Sequence, residues 1–187
     1  MGSGKSTMGP PLANRLGYEF IDLDQAIERI AGKTVQSIFS TEGEAAFRRL
    51  EALKLRAVSR TARAVISLGG GAVASEDNLY FAKTNGLLIY LRVGYDDLAE
   101  RLRDSAAARP LLQDEEGRPL SGDDLLSRVR EMMARRERFY EQADIVLDVE
   151  SHGVTEVVEM AMETLHAHVE RSRQRWSVRD RDGPEAG

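Results

Sequence analysis

The first seven residues of the chain, MGSGKST, contain the residue types needed to hold a phosphate group. Glycines allow backbone N–H groups to turn toward phosphate oxygens, and a following helix directs its positive end at the same anion. Lys5 is expected to reach the β- and γ-phosphates, and the Ser6 hydroxyl to ligate Mg²⁺. The alternative is a simple glycine-serine start without function. The predicted nucleotide-binding residues are Gly2, Ser3, Gly4, Lys5, Ser6 and Thr7.

This stretch matches only the second half of a Walker A loop, which follows a strand and begins with an earlier glycine. Neither is present before Met1. Losing a central strand with about five buried apolar side chains, at about 2 kcal/mol each, removes on the order of 10 kcal/mol. Such a loss is comparable with the whole stability of a domain, about 5–15 kcal/mol. We therefore expect Met1 to be an internal methionine and the natural product to begin roughly ten residues earlier.

Two prolines, Pro10 and Pro11, fall where the helix after the loop should run. Neither can donate a backbone hydrogen bond, to Ser6 and Thr7 respectively, and an interior proline costs about 3 kcal/mol. Two interpretations stay open: a short first helix that restarts at Leu12, or an impaired phosphate loop.

The elements that must position these residues alternate between short apolar runs and longer helical patterns. This alternation predicts an α/β fold with a parallel sheet and helices on both faces. Residues 105–122 are rich in Pro, Gly and acidic residues and predict a mobile loop. The polar residues 171–187 predict a disordered tail. Strands are predicted over residues 18–21, 64–68, 87–91 and 145–149, and helices over 44–60, 96–103, 123–140 and 154–169.

Composition narrows the class of protein. The 187 residues suit one domain, and the net charge of −5 disfavours a nucleic-acid partner. The absence of cysteine excludes disulfides, zinc-thiolate sites and thiol catalysis, and it fits a reducing cytosol. No apolar run is long enough for a membrane span, so no membrane partner is expected.

Asp22 and Asp24 follow a predicted strand, where open α/β sheets bind ligands. Because they are two residues apart, both side chains share a strand face if the segment is extended. One carboxylate could orient Mg²⁺ while the other accepts a proton from a nucleophile. The alternative is a helix cap before Gln25.

Arginines and glycines form the remaining candidates. Arginine matches a carboxylate with a two-pronged donor, and Glu51, one turn after Arg48, could hold that arginine in place. The alternative is a solvated charged helix face. Three consecutive glycines, residues 69–71, would let backbone approach a ligand closely. Arg109, in the predicted mobile loop, is held extended by the proline that follows.

Four stretches after GSGKST carry a family resemblance: FIDLD, FRRLE, LGGGA and RPLL. In this order and spacing the chain resembles shikimate kinase from Gly2 to about Leu165. The resemblance implies a three-layer P-loop kinase fold over residues 1–170, with a lid at about 105–122. It implies a five-stranded parallel sheet whose first central strand is missing from this chain. A charged tail over 171–187 lies outside it.

The resemblance also implies the chemistry. ATP would phosphorylate the 3-hydroxyl of shikimate, a step of aromatic amino-acid biosynthesis through chorismate. The protein would be a cytoplasmic monomer. Ser6 and Asp22 would hold Mg²⁺, and Asp24 would contact the hydroxyls as the base. Lys5 and Arg109 would neutralise phosphoryl charge. The implied substrate-binding residues are Asp24, Arg48, Gly69, Gly70, Gly71 and Arg136.

Two other functions stay open. Another small P-loop kinase, such as a gluconate kinase, would share the phosphate loop and the lid but needs the Asp-x-Asp, Arg48 and triple-glycine set less. A catalytically impaired relative that only binds a ligand would account for the missing strand and for Pro10 and Pro11.

Overall fold

A computed structural model describes residues 2–150 and 152–179, apart from the side chains of Ala108 and residues 175–179. Helices and strands alternate along most of the chain. The helices are α1 (Lys5–Leu16), α2 (Leu23–Ala31), α3 (Val35–Val58), α4 (Glu76–Asn85), α5 (Tyr95–Arg103), α6 (Gly122–Tyr140) and α7 (Val154–Arg179). The strands are β1 (Glu19–Asp22), β2 (Ala64–Ser67), β3 (Ile89–Arg92) and β4 (Ile145–Asp148), and two 3₁₀ turns span Ala106–Ala108 and Pro110–Leu112.

The strands form two separate parallel pairs, β1 with β2 and β3 with β4. Ile21 lies opposite Ile66 in the first pair, and Leu91 lies opposite Leu147 in the second. Ile21, Leu91 and Leu147 are buried under the helices, as parallel strands require. The α/β class is therefore confirmed, whereas a single five-stranded sheet stays a prediction.

Between the two pairs lies a cavity of about 560 Å³. Residues of β2 and β3 line its facing walls, α1 contributes Leu12 and Leu16, and the phosphate loop reaches it through Ser3 and Lys5. In the described part of the chain, β2 and β3 each pair on one side only. Each therefore turns an unpaired backbone edge toward the cavity.

Helix α1 runs without interruption from Lys5 to Leu16, with Pro10 and Pro11 inside it. The structure thus contradicts the interpretation in which the helix restarts at Leu12. A Cβ atom on Gly9 would collide with the ring of Phe20, so a glycine is needed where α1 crosses β1. Gly17 ends the helix in the left-handed region, at φ 66°.

Some elements differ from the sequence-based expectations. Helices α2 and α4 were not predicted, and α3 continues through a non-helical residue, Gly43. The predicted mobile segment 105–122 contains two 3₁₀ turns, with Leu112 fully buried. Helix α7 extends to Arg179, so the described part of the predicted tail is helical, and residues 180–187 lie outside the described residues. Among the described residues, no helix has the length and apolar character needed to cross a membrane.

Candidate active site

The phosphate loop has the backbone geometry that an anion site requires. Gly2 and Gly4 have φ values of 70° and 88°, in the region that favours glycine. The Gly4 carbonyl accepts from the amides of Thr7 and Met8, at 3.0 and 2.8 Å, which starts α1. The first turn of α1 holds no acidic residue to compete with a bound anion.

Lys5 lies in the loop beside charges of both signs. Burial lowers the pKa of its ammonium group, and the Arg109 guanidinium acts in the same direction. Asp24 and, more weakly, Asp22 oppose this effect. The structure therefore brings Lys5 close to three other predicted site residues.

Asp22 combines the two roles that the sequence left open. Its Oδ1 accepts from the backbone N–H groups of Asp24 and Gln25, at 3.0 and 3.2 Å, and so caps α2. Its Oδ2 accepts from the Ser6 hydroxyl at 3.0 Å. Capping therefore does not remove Asp22 from the site, because the second oxygen still faces the phosphate loop.

Ser6 and Asp22 also suit the metal predicted for them. The described residues contain no group of three or more His, Cys, Asp or Glu side chains placed to hold a metal ion. Mg²⁺ does not need one, since it commonly binds one or two protein oxygens together with substrate phosphates and water. A hydroxyl and a carboxylate oxygen 3.0 Å apart fit that chemistry.

Asp24 lies between the phosphate loop and the arginine side of the site. Burial raises the pKa of its carboxyl group, and the neighbouring charge of Asp22 raises it further. Lys5 on one side and Arg48 on the other lower it. Asp24 is thus a partly buried acceptor placed between cationic groups from both halves of the predicted site.

Arg48 on α3 is held by two carboxylates. Its Nη1 donates to Glu51 Oε2 at 2.8 Å and its Nη2 donates to Glu44 Oε1 at 2.9 Å, so the contact predicted between Arg48 and Glu51 is present. Glu51 is only 1% exposed, and its Oε1 is buried without a hydrogen-bond partner among the described residues. Burial raises the pKa of the Glu51 carboxyl, while Arg48 lowers it.

The three glycines after β2, which we call the glycine turn (Gly69, Gly70 and Gly71), approach these side chains closely. A Cβ atom on Gly69 would lie 3.0 Å from both Asp24 Oδ1 and Glu51 Oε1. A Cβ atom on Gly71 would collide with the guanidinium of Arg48. Glycine at positions 69 and 71 therefore lets charged groups of the site pack directly against the backbone of the turn.

Arg136 lies on α6 and joins this arginine side. Burial raises the pKa values of Glu51 and Tyr140, and the charge of Arg136 opposes both increases. A cavity of about 570 Å³ opens here, lined by Arg48, Arg136, Gly71 and neighbouring residues. Arg49 and Arg135 also line this cavity.

Arg109 approaches the phosphate loop from the predicted lid. Its backbone is extended, at φ −123° and ψ 102°, as expected before Pro110. Its Nε donates to the Ser105 hydroxyl at 3.1 Å, and its charge acts on Lys5. The structure thus brings all the predicted catalytic residues, Lys5, Asp24 and Arg109, to one site.

One site residue was missed. The hydroxyl of Tyr140 donates a hydrogen bond to the carbonyl of Gly70. The sequence held one signal for it, because Tyr140 follows Arg136 by four residues and shares its face of α6.

Comparisons with known proteins agree on one family. A family model described as shikimate kinase matches residues 1–166. A shikimate kinase of Chlorobium phaeobacteroides is 43% identical over 171 residues, which cover 91% of this chain and 90% of the relative. A shikimate kinase of Salinibacter ruber is 42% identical, covering 91% of this chain and 83% of the relative.

Solved structures give the same result. A shikimate kinase from Acinetobacter baumannii in complex with shikimate has a TM-score of 0.80 at 31% identity, covering 89% of each chain. A shikimate kinase from Bacteroides thetaiotaomicron has a TM-score of 0.79 at 36% identity, covering 89% of this chain and 94% of the other.

Proposed function

The chain belongs to the shikimate kinase family, and we propose that its site transfers the γ-phosphate of ATP to the 3-hydroxyl of shikimate. The observation that carries this proposal is the position of Asp24. It lies between Lys5, on the nucleotide side, and Arg48, on the side suited to a carboxylate. A small polar substrate with one carboxylate and several hydroxyls fits such an arrangement.

Each residue has one role in the proposed reaction. Arg48 and Arg136 bind the substrate carboxylate, which orients the ring. Asp24 accepts the proton of the attacking hydroxyl as the new O–P bond forms and the bond to the ADP oxygen breaks. Lys5 and Arg109 offset the charge of the transferring phosphoryl group. Rate enhancement then comes mainly from positioning and electrostatics.

Mg²⁺ is the proposed cofactor, with Ser6 and Asp22 as its protein ligands. Held by these two residues, the ion would supply positive charge that offsets the charge of the phosphate groups. The hydrogen bond between Ser6 and Asp22 supports this pairing, because it brings both oxygens to the mouth of the phosphate loop.

We also propose a lid and a five-stranded sheet. Residues 105–122 would close over ATP and carry Arg109 toward the phosphates, with Leu112 as the buried anchor. A strand in the cavity between β2 and β3 would join the two pairs into one sheet. The proposed kinase domain spans residues 1–170, and the proposed setting is cytoplasmic aromatic amino-acid biosynthesis by a monomer.

The experiment that tests the function is ADP release from Mg-ATP, measured with shikimate, with gluconate and without an acceptor. We expect release that depends on shikimate and is abolished by Asp24→Asn. Release that depends on gluconate would instead indicate another small-molecule kinase. Thermal stabilisation by shikimate without ADP release would indicate an impaired binding protein.

A further inference from the structure

We propose that Tyr140 is a positioning residue for shikimate, which holds the glycine turn and Arg136 in register through its hydroxyl group. The inference rests on the proposed function, because it concerns the substrate side of that site. It assigns a role to a residue of α6 that contacts the turn and not the reacting atoms.

The hydrogen bonds of the glycine turn explain why its orientation matters. All three carbonyl groups are engaged: Gly69 accepts from the Ala72 amide at 2.9 Å, Gly71 accepts from the Ala74 amide at 3.0 Å, and Gly70 accepts from Tyr140. Within the described residues, the amides of the three glycines have no acceptor. The turn therefore keeps its three backbone donors free, with Gly69 beside Asp24 and Gly71 beside Arg48.

Tyr140 supplies the only side chain among the described residues that bonds to a carbonyl of this turn. The bonds from Ala72 and Ala74 come from the next few residues of the same segment, so they shape the turn without tying it to another element. The bond from Tyr140 ties it to α6. It thereby fixes the distance between the free amides and Arg136, which lies one helical turn before Tyr140.

The ring and the hydroxyl of Tyr140 are both well placed for this task. The ring packs against that of Tyr90, with centroids 5.2 Å apart and planes tilted by 37°. Burial raises the pKa of Tyr140, although the Arg136 and Arg48 charges oppose the shift. The hydroxyl therefore stays protonated and able to donate to Gly70 at neutral pH.

Tyr140→Phe tests the proposal because it removes the hydroxyl and keeps the ring. We expect the Kd of shikimate, measured by calorimetry without ATP, to rise about fivefold, which is the loss expected from one hydrogen bond. The KM for shikimate should rise to the same extent, while kcat and the Kd of ATP change less than about twofold. Tyr90→Phe is the matched control, because the Tyr90 hydroxyl has no hydrogen-bond partner within the described residues.

The outcomes are distinguishable. An unchanged Kd of shikimate in Tyr140→Phe contradicts the inference, and so does a rise of equal size in Tyr90→Phe. A lower melting temperature with an unchanged Kd would also contradict it, because it shows a purely structural role. If the wild-type chain binds no shikimate, the proposed function fails, and this inference fails with it.

Discussion

Single residues at this site carry opposing electrostatic effects. Burial lowers the pKa of Lys5 and raises the pKa values of Asp24 and Glu51, while each of these groups faces an opposite charge that acts the other way. Each ionisable group in this partly buried site is therefore accompanied by an opposite charge. Shifted pKa values of this kind tend to mark functional sites. It also makes the individual contacts testable.

Gly71 gives a test of how closely the glycine turn packs on Arg48. Gly71→Ala would place a methyl group against the guanidinium, which must then move because it is the flexible partner. We expect the Kd of shikimate to rise about tenfold or more, as for the loss of a charge-assisted hydrogen bond, and the melting temperature to fall because the buried Glu51 loses its partner. Calorimetry and thermal melting measure the two quantities.

Gly86→Ala is the matched control for Gly71→Ala. A Cβ atom on Gly86 has no neighbour within 4 Å, and the residue has an extended backbone with φ −170°. This variant should bind shikimate as the wild type does. Equal affinities in both variants would contradict the assignment of Arg48 to the substrate carboxylate.

Glu51 gives a test of pH dependence. Its pKa in the folded state is raised, mainly by burial, so its ionisation disfavours the folded state. A carboxyl group with a raised pKa stabilises the folded state fully at pH values below the usual Glu pKa, about 4.3. This stabilisation is lost as the pH rises through the raised pKa. Glu51→Gln has no ionisable group at this position, so the variant does not lose this stabilisation as the pH rises. The free energy of unfolding of Glu51→Gln, relative to that of the wild type, should therefore increase between about pH 4 and about pH 7.

Denaturant unfolding at both pH values measures this difference for Glu51→Gln. Glu44→Gln is the control, because Glu44 also bonds Arg48 but has a side chain that is 51% exposed. Because solvent reaches the Glu44 side chain, Glu44→Gln should not reproduce the stabilisation expected of Glu51→Gln. A parallel pH response of the two variants would show that burial of Glu51 is not the cause.

At this scale, the sequence predicted the identity of most site residues and one of their contacts, the ion pair of Arg48 with Glu51. Lys5 could be named from the phosphate-loop motif, and Asp24, Arg48 and Arg109 from the family resemblance; the structure brings them together. The unpaired oxygen of Glu51 could not be predicted, because it depends on burial by segments distant in sequence.

At the scale of elements, local pattern did not predict α2 and α4, and the structure extends α3 and α7 by about ten residues beyond their predicted ranges. It predicted the four described strands and the helices α5 and α6 to within about two residues. Strand β2 and helix α6 are examples, since each combines a clear apolar pattern with a glycine at one end. The course of helix α1 could not be predicted from local pattern, because its segment contains two prolines and several glycines, which have low helix propensity. Its packing against β1, β2 and α7 supplies what its own propensity lacks.

The prolines of α1 therefore give a prediction about stability. The double variant Pro10→Ala/Pro11→Ala restores two helical donors for the carbonyls of Ser6 and Thr7. A proline inside a helix destabilises the folded state by about 3 kcal/mol. It also restricts the unfolded chain, which offsets about 1 kcal/mol of that cost. The free energy of unfolding should rise by several kcal/mol, as measured in denaturant.

Pro110→Ala is the control, because Pro110 begins a 3₁₀ turn, where no helical donor is lost. It should not stabilise the protein. Comparing ADP release by the double variant and the wild type then decides the open question about the phosphate loop. Equal kcat values would show that the prolines do not impair it, and a large increase would show that they do.

At the scale of the whole molecule, the two pairs of strands share no hydrogen-bonded ladder in the described part of the chain. The larger apolar core packs around β3 and β4, and a second core packs around β1 and β2. Helix α1 contacts β1, β2 and α7 and so bridges the two halves. The sequence pattern predicted the parallel strands. In the structure, the cavity between β2 and β3 separates the two pairs.

That cavity leads to the last prediction. An extended apolar segment of about five residues that ends in glycine, joined before Met1, would pair with the free edges of both β2 and β3. Its end would adjoin Ser3 and Lys5, which border the same cavity. Because it would bury apolar side chains at about 2 kcal/mol each, the free energy of unfolding should rise by several kcal/mol.

A segment of equal length with Lys and Asp at alternate positions is the control, since burying charges opposes insertion. Equal stability of the two extended chains would show that no strand enters the cavity. Stabilisation by the apolar segment alone, together with higher shikimate-dependent ADP release, would show that joining the sheet also orders the phosphate loop.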